Sequence, residues 1–261
     1  MKTFSLLIVA LMLLAQPVLA WGGKGHAIIT CIAENHLTPK AKETIESYLS
    51  GKSIIYYASW MDFYRHTSQY EFTSEWHEAP CNKDFYHTDA IALKEGDAVT
   101  SLKAALDSLS HYRQLNDSTV ATNIRYVIHL MADLHCPCHV IYPGVNQSYT
   151  VNMYNMHMKY HDVWDSFIIE YYRTWSYTEW QQNIDRVSDA EARNIVKGGV
   201  DDWFHDTAVY CQHIYDMAPP NATLDKNQTF DFLNSAILIT EHQLINAGYR
   251  LAYVLNNIFG E

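Results

Sequence analysis

The residues best suited to chemistry are histidines and aspartates that recur at one separation. His129 and Asp133 stand four residues apart, and so do His161 and Asp165. Four residues of α-helix turn about 400°, so both side chains of each pair leave the same face. An imidazole beside a carboxylate is a natural donor set for zinc. A buried histidine satisfied by its neighbouring aspartate is the ordinary alternative for any single pair. Two such pairs in one chain, with His139 six residues beyond Asp133, weigh towards metal.

The stretch Trp21-Gly22-Gly23-Lys24-Gly25-His26 offers a further donor set. Ahead of it the sequence reads as a cleaved export signal. Lys2 gives a positive start, the apolar run from Leu6 to Ala15 is too short to span a bilayer, and Val18-Leu19-Ala20 is a small-residue cleavage site. No stop-transfer pattern follows, and no later stretch reaches the roughly 18 apolar residues of a spanning helix. The chain is therefore expected to be secreted or periplasmic, without a membrane anchor, and to begin at Trp21 once processed. A free α-amino group has a pKa of about 8 and deprotonates readily when a metal competes for it. With its own carbonyl oxygen it closes a five-membered chelate, His26 can return to the same ion, and the glycines permit close backbone approach. The plainer alternative is a Trp21 that anchors the fold and a His26 on the surface.

Helices must position these groups. Thr38-Pro39 followed by Ala41, Ile45 and Leu49 predicts one helix, and Leu102, Leu106 and Leu109 mark another. Asn116-Asp117-Ser118 caps a third, whose apolar face runs through Ile124, Val127, Ile128 and Met131 and which Pro137 stops. Further helices are expected over 162–172 and 230–258. Strand signals are few, 149–151 being the best, and residues 78–100 and 140–160 read as loops. One all-α domain over 21–261 is the simplest account. The chain has 261 residues, 48% hydrophobic and 18% charged, which excludes a disordered protein. Its net charge of −11 argues against the basic-patch route to nucleic acid. Bound metal ions could supply the missing positive charge.

Five landmarks together resemble the single-strand-specific zinc nucleases, the nuclease S-one and P-one type, which share the all-α fold of bacterial zinc phospholipase C. They are WGGKGH at 21–26, SWMDFYR at 59–65, HLMADLHCPCH at 129–139, HDVWD at 161–165 and AGYRLA at 247–252. The resemblance covers essentially all of the chain after residue 20. It implies three zinc ions. Trp21 and His26 match ligands of one, Asp133 matches a carboxylate bridging it to a second, and Asp62 and His129 match ligands of that second ion. His139, His161 and Asp165 match the ligands of a third. Arg65 matches an arginine near the scissile phosphate. The remaining ligand of the Asp62 ion is His77, which fits without a gap, in preference to His87. The implied activity is endonucleolytic hydrolysis of single-stranded DNA and RNA to 5′-phosphorylated products, with 3′-nucleotidase activity beside it, by a monomer.

Departures from the family pattern fall around the substrate. Glu78-Ala79-Pro80 follows His77 where an aromatic and a carboxylate or amide usually grip a base, and Gly144-Val145-Asn146 replaces Gly-Gly-Asn. Phe85, Tyr86 and Tyr142 are alternative stacking platforms, although ordinary packing is the favoured reading of each. The resemblance also implies a Cys81–Cys211 disulfide. Cys136 and Cys138 read as a structural or redox-sensitive pair, one of them with Cys31, in preference to zinc thiolates. Four glycosylation sequons begin at Asn116, Asn146, Asn221 and Asn227. A zinc phospholipase C, or a phosphatase, would use the same metal core, and a non-catalytic exported zinc binder would need the ligands but not Arg65.

Overall fold

Capping residues and apolar spacing account for most of the helices. In the computed structural model residues 21–91 and 93–260 are described, so the expected export signal at 1–20 lies outside the described residues. Helix α1 spans Gly23–Asn35 and α2 spans Pro39–Tyr48. Thr38 opens α2 by accepting from the Ala41 amide at 3.1 Å, with Pro39 where a missing N–H costs least. The short α3, Trp60–Tyr64, carries Asp62. Helix α4, Ala98–Ser110, starts from a reciprocal cap between Asp97 and Thr100. Helix α5, Asp117–Asp133, starts where the Asn116 side chain accepts from the Thr119 amide, buries the predicted apolar face, and ends just before Pro137.

A helical segment follows as α6, Tyr160–Asp162, a π-helical turn over Val163–Phe167, and α7, Ile168–Tyr172. Such wide turns are rare and often mark functional sites. Helices α8 (Tyr177–Ile184), α9 (Asp189–Ile195), α10 (Val200–Ala208) and α11 (Cys211–Met217) lead to α12, Lys226–Phe259, which runs for 34 residues.

Strand content is small but exceeds the expectation for 140–160. Strand β1, Ala79–Pro80, pairs in parallel with β2, Val140–Ile141. Strands β3, Thr150–Met153, and β4, Met156–Lys159, form an antiparallel hairpin, with β5, Thr223–Leu224, parallel to β3. The hairpin turns through Tyr154 and Asn155 at φ of 51° and 62°. Two successive positive φ angles define the turn that suits strand twist. Tyr-Asn is not the usual Asn-Gly signal, which is why the stretch reads as a loop from sequence.

The AGYRLA landmark belongs to this scaffold. Gly248 lets α12 approach α1, because a Cβ there would lie 2.5 Å from the Ile32 side chain and 3.2 Å from the Ile29 carbonyl oxygen. Alanine ordinarily gains about 1 kcal/mol over glycine inside a helix. Overpacking against α1 reverses the sign, and Gly248→Ala is expected to cost about 1–3 kcal/mol in urea unfolding. An unchanged midpoint would mean that the two helices separate freely. Two residues on, Arg250 is almost fully buried and donates to Ile195 O at 2.9 Å, to Asp206, and to His135 Nε2 at 2.9 Å. No helix among the described residues is long and apolar enough to cross a membrane.

Candidate metal centre

Seven stretches of the chain bring the predicted donors together. Helix α5 supplies His129 and Asp133, α1 supplies His26, and α3 supplies Asp62. His77 follows a 3₁₀ turn over Glu71–Glu75, and His139 closes a second 3₁₀ turn over Pro137–His139. His161 lies in α6 and Asp165 in the π-helical turn. All but His161 are buried.

Asp133 stands at the middle. Its Oδ1 faces His26 Nε2 at 3.4 Å and His139 Nδ1 at 3.6 Å. Its Oδ2 faces His77 Nδ1 at 2.9 Å and His129 Nε2 at 3.2 Å. Asp62 lies behind them, with Oδ1 3.6 Å from His129 Nε2 and Oδ2 3.8 Å from His26 Nε2. The His26 and His129 rings stack with centroids 4.1 Å apart. His129 is oriented from behind, its Nδ1–H donating to Ala58 O at 3.0 Å, which turns Nε2 towards both carboxylates.

These groups are poorly satisfied by one another. Both nitrogens of His26, both oxygens of Asp62, His77 Nε2, Asp133 Oδ1, His139 Nδ1 and Asp165 Oδ2 are buried without a hydrogen-bond partner. Native interiors pair more than about 90% of such groups. So many orphaned lone pairs converging in one place is what a cation site requires, and the residues fit zinc in type, count and burial.

Protons stand where positive charge is wanted. Burial opposes a charge on His129, but Asp133 and Asp62 outweigh it and push its pKa up to about 9. Burial likewise opposes a charge on His161, yet Asp165 lifts it to about 9. Burial tends to raise the two aspartates, but His129 holds Asp133, and His161 and His139 hold Asp165, well below the carboxylate range. For His77 burial prevails and lowers the pKa to about 4. Cations binding here would displace protons.

A second group adjoins the first through His139, whose Nε2 is 3.1 Å from Asp165 Oδ1. His161 Nε2 is 3.2 Å from Asp165 Oδ2, and the two imidazoles stack at 4.9 Å. The Gly22 amide donates to Asp165 O at 2.8 Å, placing the chain after Trp21 against this segment. Trp21 is fully buried. The glycines here serve packing as well as reach. A Cβ on Gly22 would lie 2.1 Å from Ser166 Oγ, and one on Gly25 3.0 Å from the Trp21 ring.

Over both groups opens a cavity of about 670 Å³, lined among others by Arg65, His77, Glu78, His139, Lys159 and His161. Other residues sit elsewhere. His87 stays out of the cluster, its Nε2 3.0 Å from Asp97 Oδ2 at the start of α4. Phe85 stacks on Tyr142 at 5.3 Å and Tyr86 on His205 at 4.2 Å, so these aromatics are packed on neighbours.

The expected Cys81–Cys211 disulfide is not formed, because all five cysteines are free and buried. Cys211 Sγ turns instead to the Val140 carbonyl at 3.4 Å. Cys31 does not join Cys136 or Cys138; its sulfur lies 3.8 Å from Asn35 Nδ2 on its own helix. Sequence reasoning did not single out His135, whose Nδ1–H donates to Met131 O at 2.7 Å while Nε2 accepts from Arg250. It also passed over how closely Cys136 and Cys138 approach Asp165, each at 3.6 Å.

Comparison with known proteins defines the class. The sequence model of the family described as S1/P1 Nuclease matches residues 21–260. Endonuclease 5 of Arabidopsis thaliana is 24% identical, covering 99% of this chain and 97% of its own length. Nuclease P1 of Penicillium citrinum is 25% identical over 92% of this chain and 98% of its own. Nuclease S1 of Aspergillus oryzae is 23% identical, covering 95% of each chain. The chain belongs to the S1/P1 nuclease family. It is accordingly a zinc-dependent hydrolase of phosphodiesters, a nuclease acting on single-stranded nucleic acid.

Proposed function

We propose that this protein is a secreted endonuclease of single-stranded DNA and RNA with three zinc ions, giving 5′-phosphorylated products and also acting on 3′-nucleotides. The observation that carries this reading is the set of orphaned, buried nitrogen and oxygen atoms beneath the Arg65-lined cavity. Removal of residues 1–20 would leave residues 21–261 as the nuclease domain, acting as a monomer. The amino group and carbonyl oxygen of Trp21, with His26 and Asp133, would hold one ion. Asp62, His77, His129 and Asp133 would hold the second, and His139, His161 and Asp165 the third.

Bound zinc would polarise the phosphoryl oxygens and bring the acidity of water near neutrality. The chain's own groups do the rest. Asp133 presents one oxygen to the His26 side and the other to the His77 and His129 side, so it would hold both ions of the pair. Ala58 O holds the His129 ring in one tautomer. Arg65 donates to the non-bridging oxygens as negative charge grows on them. His77, His139 and His161 line the cavity, with Asp133 buried beneath them, so a base must leave its stack before its phosphate can descend; duplex must first melt, and single strands are preferred.

The test is cleavage of a single-stranded DNA and its duplex by the protein beginning at Trp21, with and without a zinc chelator. Chelator-sensitive cutting that favours the single strand is expected, with three zincs per chain by elemental analysis. A folded, zinc-loaded protein that cuts neither would overturn the reading. Extra residues left before Trp21 should remove the amino ligand, lowering zinc content by one ion and activity by at least about 10-fold, the low end of losses even for groups that only support a ligand. Full zinc content with the extension in place would exclude Trp21 as a ligand.

A further inference from the structure

Helix α3 has a second cavity on its other face. It measures about 560 Å³ and is lined by Tyr56, Tyr57, Trp60, Phe63, Tyr64 and Arg125 among others. Trp60, Phe63 and Tyr64 are spaced to share one side of a helix, and the Trp60 and Tyr64 rings stack at 4.5 Å. Asp62, about 200° of helical turn from Trp60, points the other way, to His129. Arg65, at the end of α3, lines the catalytic cavity. The helix is thus a partition between the two. Ala58 joins them as well, since it lines the second cavity while its carbonyl holds His129.

Large rings meet water here. Tyr56 is 70% exposed, Phe63 63% and Tyr64 44%. Cations stand against the aromatic wall. The Arg125 guanidinium lies 4.6 Å from the Tyr57 ring centroid and 5.1 Å from that of Trp60, and Lys52 Nζ lies 5.5 Å from that of Tyr56. Arg125 Nε is buried without a hydrogen-bond partner. No acidic residue lines the cavity among the described residues, although the chain carries 29 Asp and Glu against 18 Lys and Arg. Flat rings, a guanidinium and no carboxylate suit a ligand that is aromatic and anionic at once, which describes a nucleotide. A neutral sugar would use the rings and gain nothing from the cations.

We infer that this second cavity is an accessory site for the substrate strand, where a base stacks on the exposed rings and its phosphate meets Arg125. This rests on the nuclease activity proposed above and extends its reach along the strand. The partition is short. From Trp60 to Arg65 the helix rises about 7.5 Å, the length of about two stacked nucleotides at about 3.4 Å each. A strand with its scissile phosphate at Arg65 therefore lays a nucleotide one or two steps away over Tyr64 and Phe63. A dinucleotide held at the metal centre ends before it. The site thus lowers KM for long strands alone, and a base stacked on its rings is no longer paired, which adds to the discrimination against duplex.

The zinc-loaded protein starting at Trp21 is assayed on a deoxydinucleotide and on a long single-stranded DNA of the same bases. Two variants are compared with it: Tyr56→Ala, at a ring too exposed to matter for folding, and Arg125→Gln. In Tyr56→Ala, KM for the long strand is expected to rise at least about 5-fold, the low end for removing one stacking ring, with the dinucleotide kinetics held. In Arg125→Gln, the fall of log kcat/KM with log salt on the long strand is expected to flatten by about 0.7, the loss of one phosphate contact to a single strand. If these residues only braced α3 and its Asp62, both substrates would suffer alike and the salt slope would stay. That result, or no change on either substrate, overturns the inference while the nuclease stands. If the unaltered protein cuts neither substrate, the proposed function fails and the site is judged alone, by crosslinking a single-stranded DNA that carries a photoreactive base. Attachment within residues 55–64 upholds the site, and attachment only elsewhere, or none, refutes it.

Discussion

Asp133→Asn is expected to abolish turnover, by at least about 10³-fold, with loss of zinc from the paired positions. The reason is geometric. Asp133 offers one oxygen to the His26 side and the other to the His77 and His129 side. Asparagine keeps the shape but replaces one oxygen with an NH₂ that only donates, and it removes the negative charge that would hold two cations close together. Losing a group that merely supports a ligand costs about 10–100-fold, and a ligand shared by two ions must cost more. Steady-state cleavage and zinc content measured on one preparation check this. Near-normal turnover with full zinc would falsify the paired centre.

Arg65→Ala should leave the zinc content unchanged and lower kcat by about 10²–10³-fold, the range for removing one preorganised donor to a developing negative charge. Arg65 lines the cavity alongside His77, His139 and His161, so its loss alters the wall rather than the floor. Arg65→Lys should recover only part of the rate. Lysine restores the charge but not the planar fork that meets two phosphoryl oxygens at once. A kcat within about threefold of the unaltered enzyme would remove Arg65 from the chemistry, and a rise in KM alone would reduce it to a substrate anchor.

Much of this site was legible because helical spacing is local. His129 with Asp133, and His161 with Asp165, declare themselves by a four-residue interval, and caps at Thr38 and Asn116 mark where helices begin. What no local pattern holds is the meeting of His77 with Asp133, 56 residues away. That pairing was reached by resemblance. The motif 129–139 contains three histidines, and spacing does not say which two reach the cluster. His135 is turned away and tied to Arg250, a partner 115 residues distant. The wide turn at 163–167 has no sequence signal, and the hairpin at 150–159 lacks the usual turn pair. The expected Cys81–Cys211 bond came from the family pattern alone and is absent.

His139 sits between the two halves of the centre, its Nε2 3.1 Å from Asp165 and its Nδ1 3.6 Å from Asp133. A neutral imidazole has one lone pair and one N–H to offer. With Nε2 given to an ion, the proton would stand on Nδ1, from which a small rotation would let His139 donate to Asp133. Filling one position would then favour filling its neighbour, and thermodynamic reciprocity would make the reverse hold as well. Through this one ring a change on the Asp165 side would be felt at Asp133, so the loss of one ion should loosen the remaining two without emptying them.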